Sequence, residues 1–138
     1  PLLADPALKP APSDIRTAHA LALDLLRLRA STRLFRLRDA AAIEAALDFP
    51  VSGTWQQLAG VIVMRIADPD VEPRWRGLVA VFNPTWQPVR QQVPFATSGW
   101  VLHPVQAGGA DPVVRQSSVG DSEFGVPAHT VAVFVDPA

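Results

Sequence analysis

The side chains able to do chemistry in this 138-residue chain are few and scattered. Its glutamates are Glu44, Glu72 and Glu123, which fall in a predicted helix, a proline-flanked loop and a weak strand. That placement brings no two of them into one water-excluding cleft. Asp68, Asp70 and Glu72 alternate in a loop and offer the hard oxygen ligands that calcium takes, but without the EF-hand spacing or its terminal glutamate. A solvated acidic turn is the plainer reading. His19, His103 and His129 show no H-x-x-x-H spacing, and cysteine is absent, so no transition-metal site is assigned. His103 and His129 read as satisfied residues at strand ends. Gly120-Asp121-Ser122-Glu123-Phe124 approaches the G-x-S-x-G nucleophile elbow, but Phe124 stands where the last glycine is needed. Lys9, the sole lysine, sits in a proline-rich stretch with no glycine-rich phosphate loop leading to it. No catalytic residue, metal or cofactor is therefore expected in this chain.

Arginines and tryptophans remain. Arg27, Arg29, Arg33, Arg36 and Arg38 form a basic series, but it lacks the interleaved aromatics that stack on bases, and the rest of the chain is acidic. Nucleic acid is not an expected partner. The guanidinium forks suit carbonyls and carboxylates at a protein interface instead. Trp55, Trp75, Trp86 and Trp100 are the best functional lead, because indole faces can lie against the apolar C–H face of a sugar ring. Three of them fall in predicted loops. Against this stands the tendency of tryptophan to be highly buried and to fill cores.

These residues must be positioned by a small number of elements. The length suits one domain, and no apolar run approaches the roughly 20 residues that a membrane helix needs. Hydrophobic residues make up 49% and charged residues 18%, the balance of a globular domain. The net charge of −1 is uneven: residues 1–38 hold seven basic and three acidic groups (+4), and residues 39–138 hold five and ten (−5). This asymmetry divides the chain into two pieces with different neighbours. The start, Pro1-Leu2-Leu3-Ala4-Asp5, has neither a basic leader nor a cleavage site, nor an initiator methionine, so the chain is expected to be a segment of a longer polypeptide.

Prolines at 1, 6, 10 and 12 keep the first residues in a loop. Ser13 or Asp14 then offers an N-cap for a helix from 15 to about 30. Ile15, Ala18, Ala22, Leu25 and Leu26 share one face, widened by Leu21 and Leu28, while Arg16, Asp24, Arg27 and Ser31 lie opposite. Such a broad apolar face expects a large partner, and left uncovered it favours self-association. Asp39 caps a short helix from 40 to about 47. Beyond Phe49-Pro50 the grammar becomes that of strands, at 61–66, 78–82 and 131–135, with an alternating run at 89–95 and weaker strands at 100–105, 113–119 and 123–126. Asp68-Pro69, Asn83-Pro84, Ser98-Gly99, Gly108-Gly109, Asp111-Pro112, Gly120-Asp121 and Asp136-Pro137 break the runs. The expected fold is mainly β: an antiparallel β-sandwich of about seven to eight strands preceded by an N-terminal α-helical segment.

At this point a resemblance can be read. Leu2-Leu3-Ala4-Asp5-Pro6-Ala7-Leu8-Lys9-Pro10 looks like the run before the last barrel helix of pullulanase-type debranching enzymes. Pro12-Ser13-Asp14-Ile15, Ala18-His19 and Asp24-Leu25-Leu26-Arg27-Leu28-Arg29 resemble that helix. Ser31-Thr32-Arg33-Leu34-Phe35-Arg36-Leu37 is similar to the family's S-S-P-L-F-R-L junction, with Arg33 in place of proline. Gly60-Val61-Ile62-Val63-Met64 resembles P-G-L-I-V-M, and Val79-Ala80-Val81-Phe82-Asn83 resembles V-V-V-F-N. Leu102-His103-Pro104-Val105-Gln106 matches L-H-P-V-Q, and the stretch 126–134 matches V-P-A-R-T-x-A-V-F. The resemblance implies an α-amylase-superfamily enzyme that hydrolyses α-1,6-glucosidic branches with two carboxyl groups on the strands of an upstream barrel. It implies that residues 1–38 are the terminal loop and helix of that barrel and residues 39–138 the non-catalytic C-terminal sandwich packed on it. The expected barrel-facing residues are Ile15, Ala18, Leu21, Ala22, Leu25, Leu28, Arg33, Phe35 and Arg36. The alternative role is an accessory α-glucan surface built from Trp55, Trp75, Trp86 and Trp100. Whether the parent is cytoplasmic or exported stays open.

Overall fold

The computed structural model describes residues 5–68 and 70–138. The expected loop features at residues 1–4 and the proline of the Asp68-Pro69 turn lie outside the described residues. A long helix α1 (Pro12–Ser31) and a short α2 (Ala40–Ala46) precede eight strands. These are β1 (Leu47–Asp48), β2 (Ile62–Ile66), β3 (Trp75–Asn83), β4 (Val89–Gln92), β5 (Val101–Leu102), β6 (Ser118–Gly120), β7 (Glu123–Val126) and β8 (Thr130–Pro137), with a one-turn α3 (Pro104–Ala107) after β5. They form two antiparallel sheets, ordered β1-β2-β3-β8-β5 and β4-β7-β6. The mainly-β sandwich preceded by a helical segment is the architecture observed. No helix among the described residues is long and apolar enough to cross a membrane.

The five-stranded sheet is the middle of three layers. On one side Val63, Val79, Val81, Ala132 and Phe134 meet Phe124 and Val126 of the smaller sheet, with Val93 just past the end of β4, in the inter-sheet core. On the other side Ile66, Leu78, Ala80, Val133 and Val135 meet Leu28, Leu34 and Ala46. Both faces of β3 and β8 are therefore covered, which is why these strands are unbroken apolar runs rather than alternating ones. The second core includes residues on both sides of position 38, so the helical segment and the sandwich share buried surface.

Helix α1 starts earlier than expected. Ala11, in extended backbone, is the capping residue, with Pro12 at the first helical position. Asp14 sits in the first turn and accepts from the Ala11 N–H at 2.8 Å, a reach-back rather than a cap. The stretch expected as a strand at 100–105 splits into β5 and α3. The His103 ring accepts from the Val105 N–H at 3.2 Å, and Pro104, with its fixed φ and missing donor, begins the turn. The stretch 113–119 similarly gives a 3-10 turn before β6.

Gln106 closes the exposed edge of β8 where β5 has ended. Its Nε2 donates to the Val131 carbonyl at 2.9 Å and its Oε1 accepts from the Val133 N–H at 2.7 Å. One primary amide thus imitates the peptide group of a missing neighbouring strand. Gln106→Leu should lower stability by about 1–2 kcal/mol, since it strips partners from both backbone groups. Urea midpoints of the two proteins test this, and equal midpoints would show the clamp to be dispensable.

Candidate functional site

The functional geometry centres on how α1 is fastened. Its sandwich-facing side is its poorer one in apolar residues: Leu21, Asp24, Leu28 and Ser31 face the sheet. Asp24 accepts from the Ala110 N–H at 2.6 Å and from Arg27 at 2.9 Å. The Ala110 amide lowers the Asp24 carboxyl pKa, opposed by burial, with Arg27 assisting. Gly109 lets this approach happen, because a β-carbon there would stand 2.7 Å from both Asp24 Oδ2 and the Val105 carbonyl. Two turns on, the Ser31 hydroxyl donates to Leu28 O at 2.7 Å and lies 3.0 Å from His103 Nε2. With Nδ1 accepting from Val105, the network assigns a neutral imidazole that donates through Nε2 to Ser31.

Arg74 completes the fastening. Its guanidinium donates to the carbonyl of Ser31 and to both carboxylate oxygens of Glu72, at 2.8 and 2.9 Å. The Arg74 guanidinium holds the buried Glu72 carboxyl at about 2, against the opposing effect of burial, with Thr32 adding a hydrogen bond. Burial pushes His103 down to about 4, and the nearby positive charge of Arg74 adds to it. Both groups are inaccessible and fully engaged: this is a structural lock, not an acid–base pair.

The opposite face of α1 is uncovered. Ile15 and Leu26 are 58% and 62% exposed, and Ala18 and Ala22 lie open beside them, whereas Leu25, though exposed, borders the depression between α1 and the sandwich together with Leu21 and Leu28. Of the other residues expected on a barrel-facing surface, Leu21 is half-buried and Leu28 is buried in the second core, committed to this chain's own sheet. Phe35 packs partly against that core, while Arg33 and Arg36 are exposed and border an open depression of about 330 Å³ with Glu72 and Arg74. Asp24 and Ser31, expected on a solvent stripe, instead face the sandwich.

The tryptophans separate into two kinds. Trp100 is buried among Phe95 and Phe124, so its ring is a core element and offers no face to a ligand. Trp75 begins β3 rather than lying in a loop, and it is half-buried beside Arg74 and His103. Trp55 and Trp86 are 87% and 84% exposed.

The remaining chemical candidates are dispersed. Glu44 is exposed on α2, and Glu123 pairs with Arg90 at 2.8 Å across β4 and β7. Asp68 accepts from the N–H groups of Asp70 and Val71. Glu72, expected in a solvated acidic turn, is instead buried and paired with Arg74. Among the described residues no three His, Cys, Asp or Glu converge as a metal set would. His129 stands at a strand end, as expected, immediately before β8; its backbone is left-handed, φ 50°, its N–H donates to Thr85 O and its ring lies against Trp86.

Two buried amides, Asn83 and Gln91, and the half-buried Gln106 escaped sequence reasoning. Asn83 binds the carbonyls of Gln87, Val126 and Pro127 and accepts from Thr85. Gln91 bonds Gln56, Leu58 and Gln92, and Gln106 clamps β8. A polar residue inside or beside an apolar strand was the available signal, but their partners lie up to 44 residues away.

What these features define is a β-sandwich domain with a helix locked across one sheet. Residues 1–137 match the family of alpha-1,6-glucosidases, pullulanase-type, C-terminal, and the chain belongs to that family. It is 37% identical to Pullulanase 1, chloroplastic, of Arabidopsis thaliana over 148 residues, covering 99% of this chain and 15% of that protein. The structure superposes on PulA from Klebsiella oxytoca with a TM-score of 0.81 and 28% identity, over 94% of this chain and 13% of that one. A maltotriose complex of PulA from Klebsiella pneumoniae gives a TM-score of 0.81 and 29% identity, over 93% of this chain and 14% of that one. The chain thus spans between 13% and 15% of the length of these relatives.

Proposed function

We propose that this chain is the non-catalytic C-terminal domain of a debranching glycoside hydrolase, and that its α1 is the last helix of the catalytic barrel, held between barrel and sandwich. Residues 1–38 then belong to the barrel in sequence, and residues 39–138 are the sandwich that covers it. The observation that carries this reading is the orientation of α1. A helix free to choose would bury its richest stripe, yet Ile15, Ala22 and Leu26 point away from the sandwich while Asp24 and Ser31 point in. The exposed stripe suits a second apolar surface, and the relatives supply about six-sevenths of their length beyond the matched segment.

Catalysis by the parent needs paired carboxyls, and the glutamates here are exposed, salt-bridged or buried on separate elements. The isolated chain should therefore release no reducing ends from pullulan, and measurable hydrolysis by the pure chain would refute the reading. A second test concerns the helix. Ile15→Glu with Leu26→Glu should leave the isolated chain within about 0.5 kcal/mol of its parent, as exposed substitutions do. In the full-length enzyme the same pair should destabilise by about 3 kcal/mol or more, because two carboxylates would be buried without partners. Equal unfolding midpoints for the two full-length proteins would sink the docking role.

A further inference from the structure

We propose that the end of the sandwich carrying Trp55 and Trp86 is an α-glucan surface site, with the two indoles as its stacking platforms. The choice of ligand rests on the family reading above; the site itself rests on three observations.

First, the two segments meet. Strand β3 ends at Asn83 beside the start of β2, since Phe82 pairs with Ile62. The loop leading into β2 and the turn leaving β3 therefore occupy one end of the sandwich. A β-carbon on Gly60 would lie 3.7 Å from Thr85 Cγ2, so the segments are in contact.

Second, both are rigid. Asn83 is buried, and it ties the 84–87 turn to the Val126 and Pro127 carbonyls at 3.2 and 2.8 Å. His129 donates its N–H to Thr85 O at 3.1 Å and sets its ring edge-on to Trp86, with centroids 4.2 Å apart. On the other loop, the Gln57 side chain spans Gly53 and Val61, and buried Gln91 holds Gln56 and Leu58. The backbone beneath each indole is thus already ordered, so binding does not bear the cost of ordering these turns.

Third, the surroundings are amphipathic in the way a sugar is. Thr54 and Gln57 flank Trp55 in sequence and Gln87 follows Trp86, and all three are exposed. A pyranose offers a C–H face to indole and hydroxyls to amides and hydroxyl side chains. The uncovered stripe of α1, by contrast, is continuous and aliphatic, which is the character of a protein interface.

The test is intrinsic tryptophan fluorescence of this chain titrated with maltoheptaose. A saturable change is expected, with Trp86→Ala and Trp55→Ala each weakening binding about three- to tenfold and the double variant abolishing it. Both residues are exposed, so folding is preserved in the variants. A flat titration, or an unchanged constant in the double variant, would overturn the proposal. The same titration in the full-length enzyme, with the barrel's catalytic nucleophile replaced, checks whether another domain covers this end. The part of the response lost on changing both Trp55 and Trp86 to Ala reports the surface site there, and identical titrations of the parent and the double variant would also overturn the proposal. Pullulan hydrolysis by the isolated chain would refute the non-catalytic reading but not this one, so the two fail separately.

Discussion

Phe124→Ala is expected to destabilise the domain by about 4 kcal/mol, the cost of emptying a fully buried phenylalanine site. Phe124 has no exposed surface, and it is where the two sheets meet. It stacks on Phe134 of β8 with centroids 4.5 Å apart and an interplanar angle of 29°, and Trp100 meets it edge-on at 5.7 Å. Its own sheet consists of strands only three or four residues long. So little ladder leaves the small sheet dependent on side-chain contacts across the interior. A loss of this size is a large fraction of the stability of an ordinary domain, about 5–15 kcal/mol. Denaturant unfolding measures it, and native-state hydrogen exchange should show the amides of β4, β6 and β7 deprotected first. Trp86→Ala, which removes an exposed ring, should change the midpoint little. If the two variants unfolded at the same denaturant concentration, the inter-sheet aromatic contact would not be what holds the small sheet.

How much of this was legible in the sequence follows from the range of each interaction. Strands β3 and β8 were visible because both of their faces are covered, so residues 78–82 and 131–135 are unbroken apolar runs; β2 was visible through Val63 and Ile66, which reach the two cores, although Ile62 stays exposed. The alternation at 89–95 was legible too, but β4 stops at Gln92, where Val93 bonds Ser122 and leaves the ladder. Periodicity correctly placed α1 and its apolar stripe. It could not say which side docks, because that depends on Gly109, Ala110 and His103, more than 70 residues away. The helix is anchored by a few polar contacts of high geometric demand, whereas periodicity weighs only apolar content. The lock itself, Glu72 with Arg74 and His103 with Ser31, had no local spacing to betray it. Glu72 read as one of three acidic loop residues because its neighbours at 68 and 70 are indeed polar and accessible. The tryptophans show the same limit from the other side: residue type offered four candidates, and burial, a tertiary property, divided them.

The lock makes the domain sensitive to acid, with a sign that follows from two depressed pKa values. His103 has an ordinary value of 6.5 and a folded value of about 4, because its site excludes water and faces Arg74. Between those values the unfolded chain binds the extra proton, so stability is complete above about pH 6.5 and falls as pH drops toward 4. The shift corresponds to about 3 kcal/mol if it acts in full. Glu72, lowered from 4.5 to about 2 by Arg74, contributes stability that is present above pH 4.5 and is lost as pH falls toward 2. The two losses are consecutive: histidine first, carboxylate second. Protonated His103 would place a donor on Nδ1 against the Val105 N–H, so the first loss should loosen α3 and, through Ser31, the C-terminal turn of α1. Unfolding midpoints of the isolated chain between pH 7 and pH 4.5 read this directly. His103→Asn keeps a side-chain acceptor for the Val105 N–H while removing the titration. The variant should be less stable at pH 7 and lose much less on acidification, so the two curves converge near pH 4.5. Parallel curves across that interval would mean that His103 does not supply the acid-sensitive step and that the fastening of α1 is held by Arg74 and Asp24 alone.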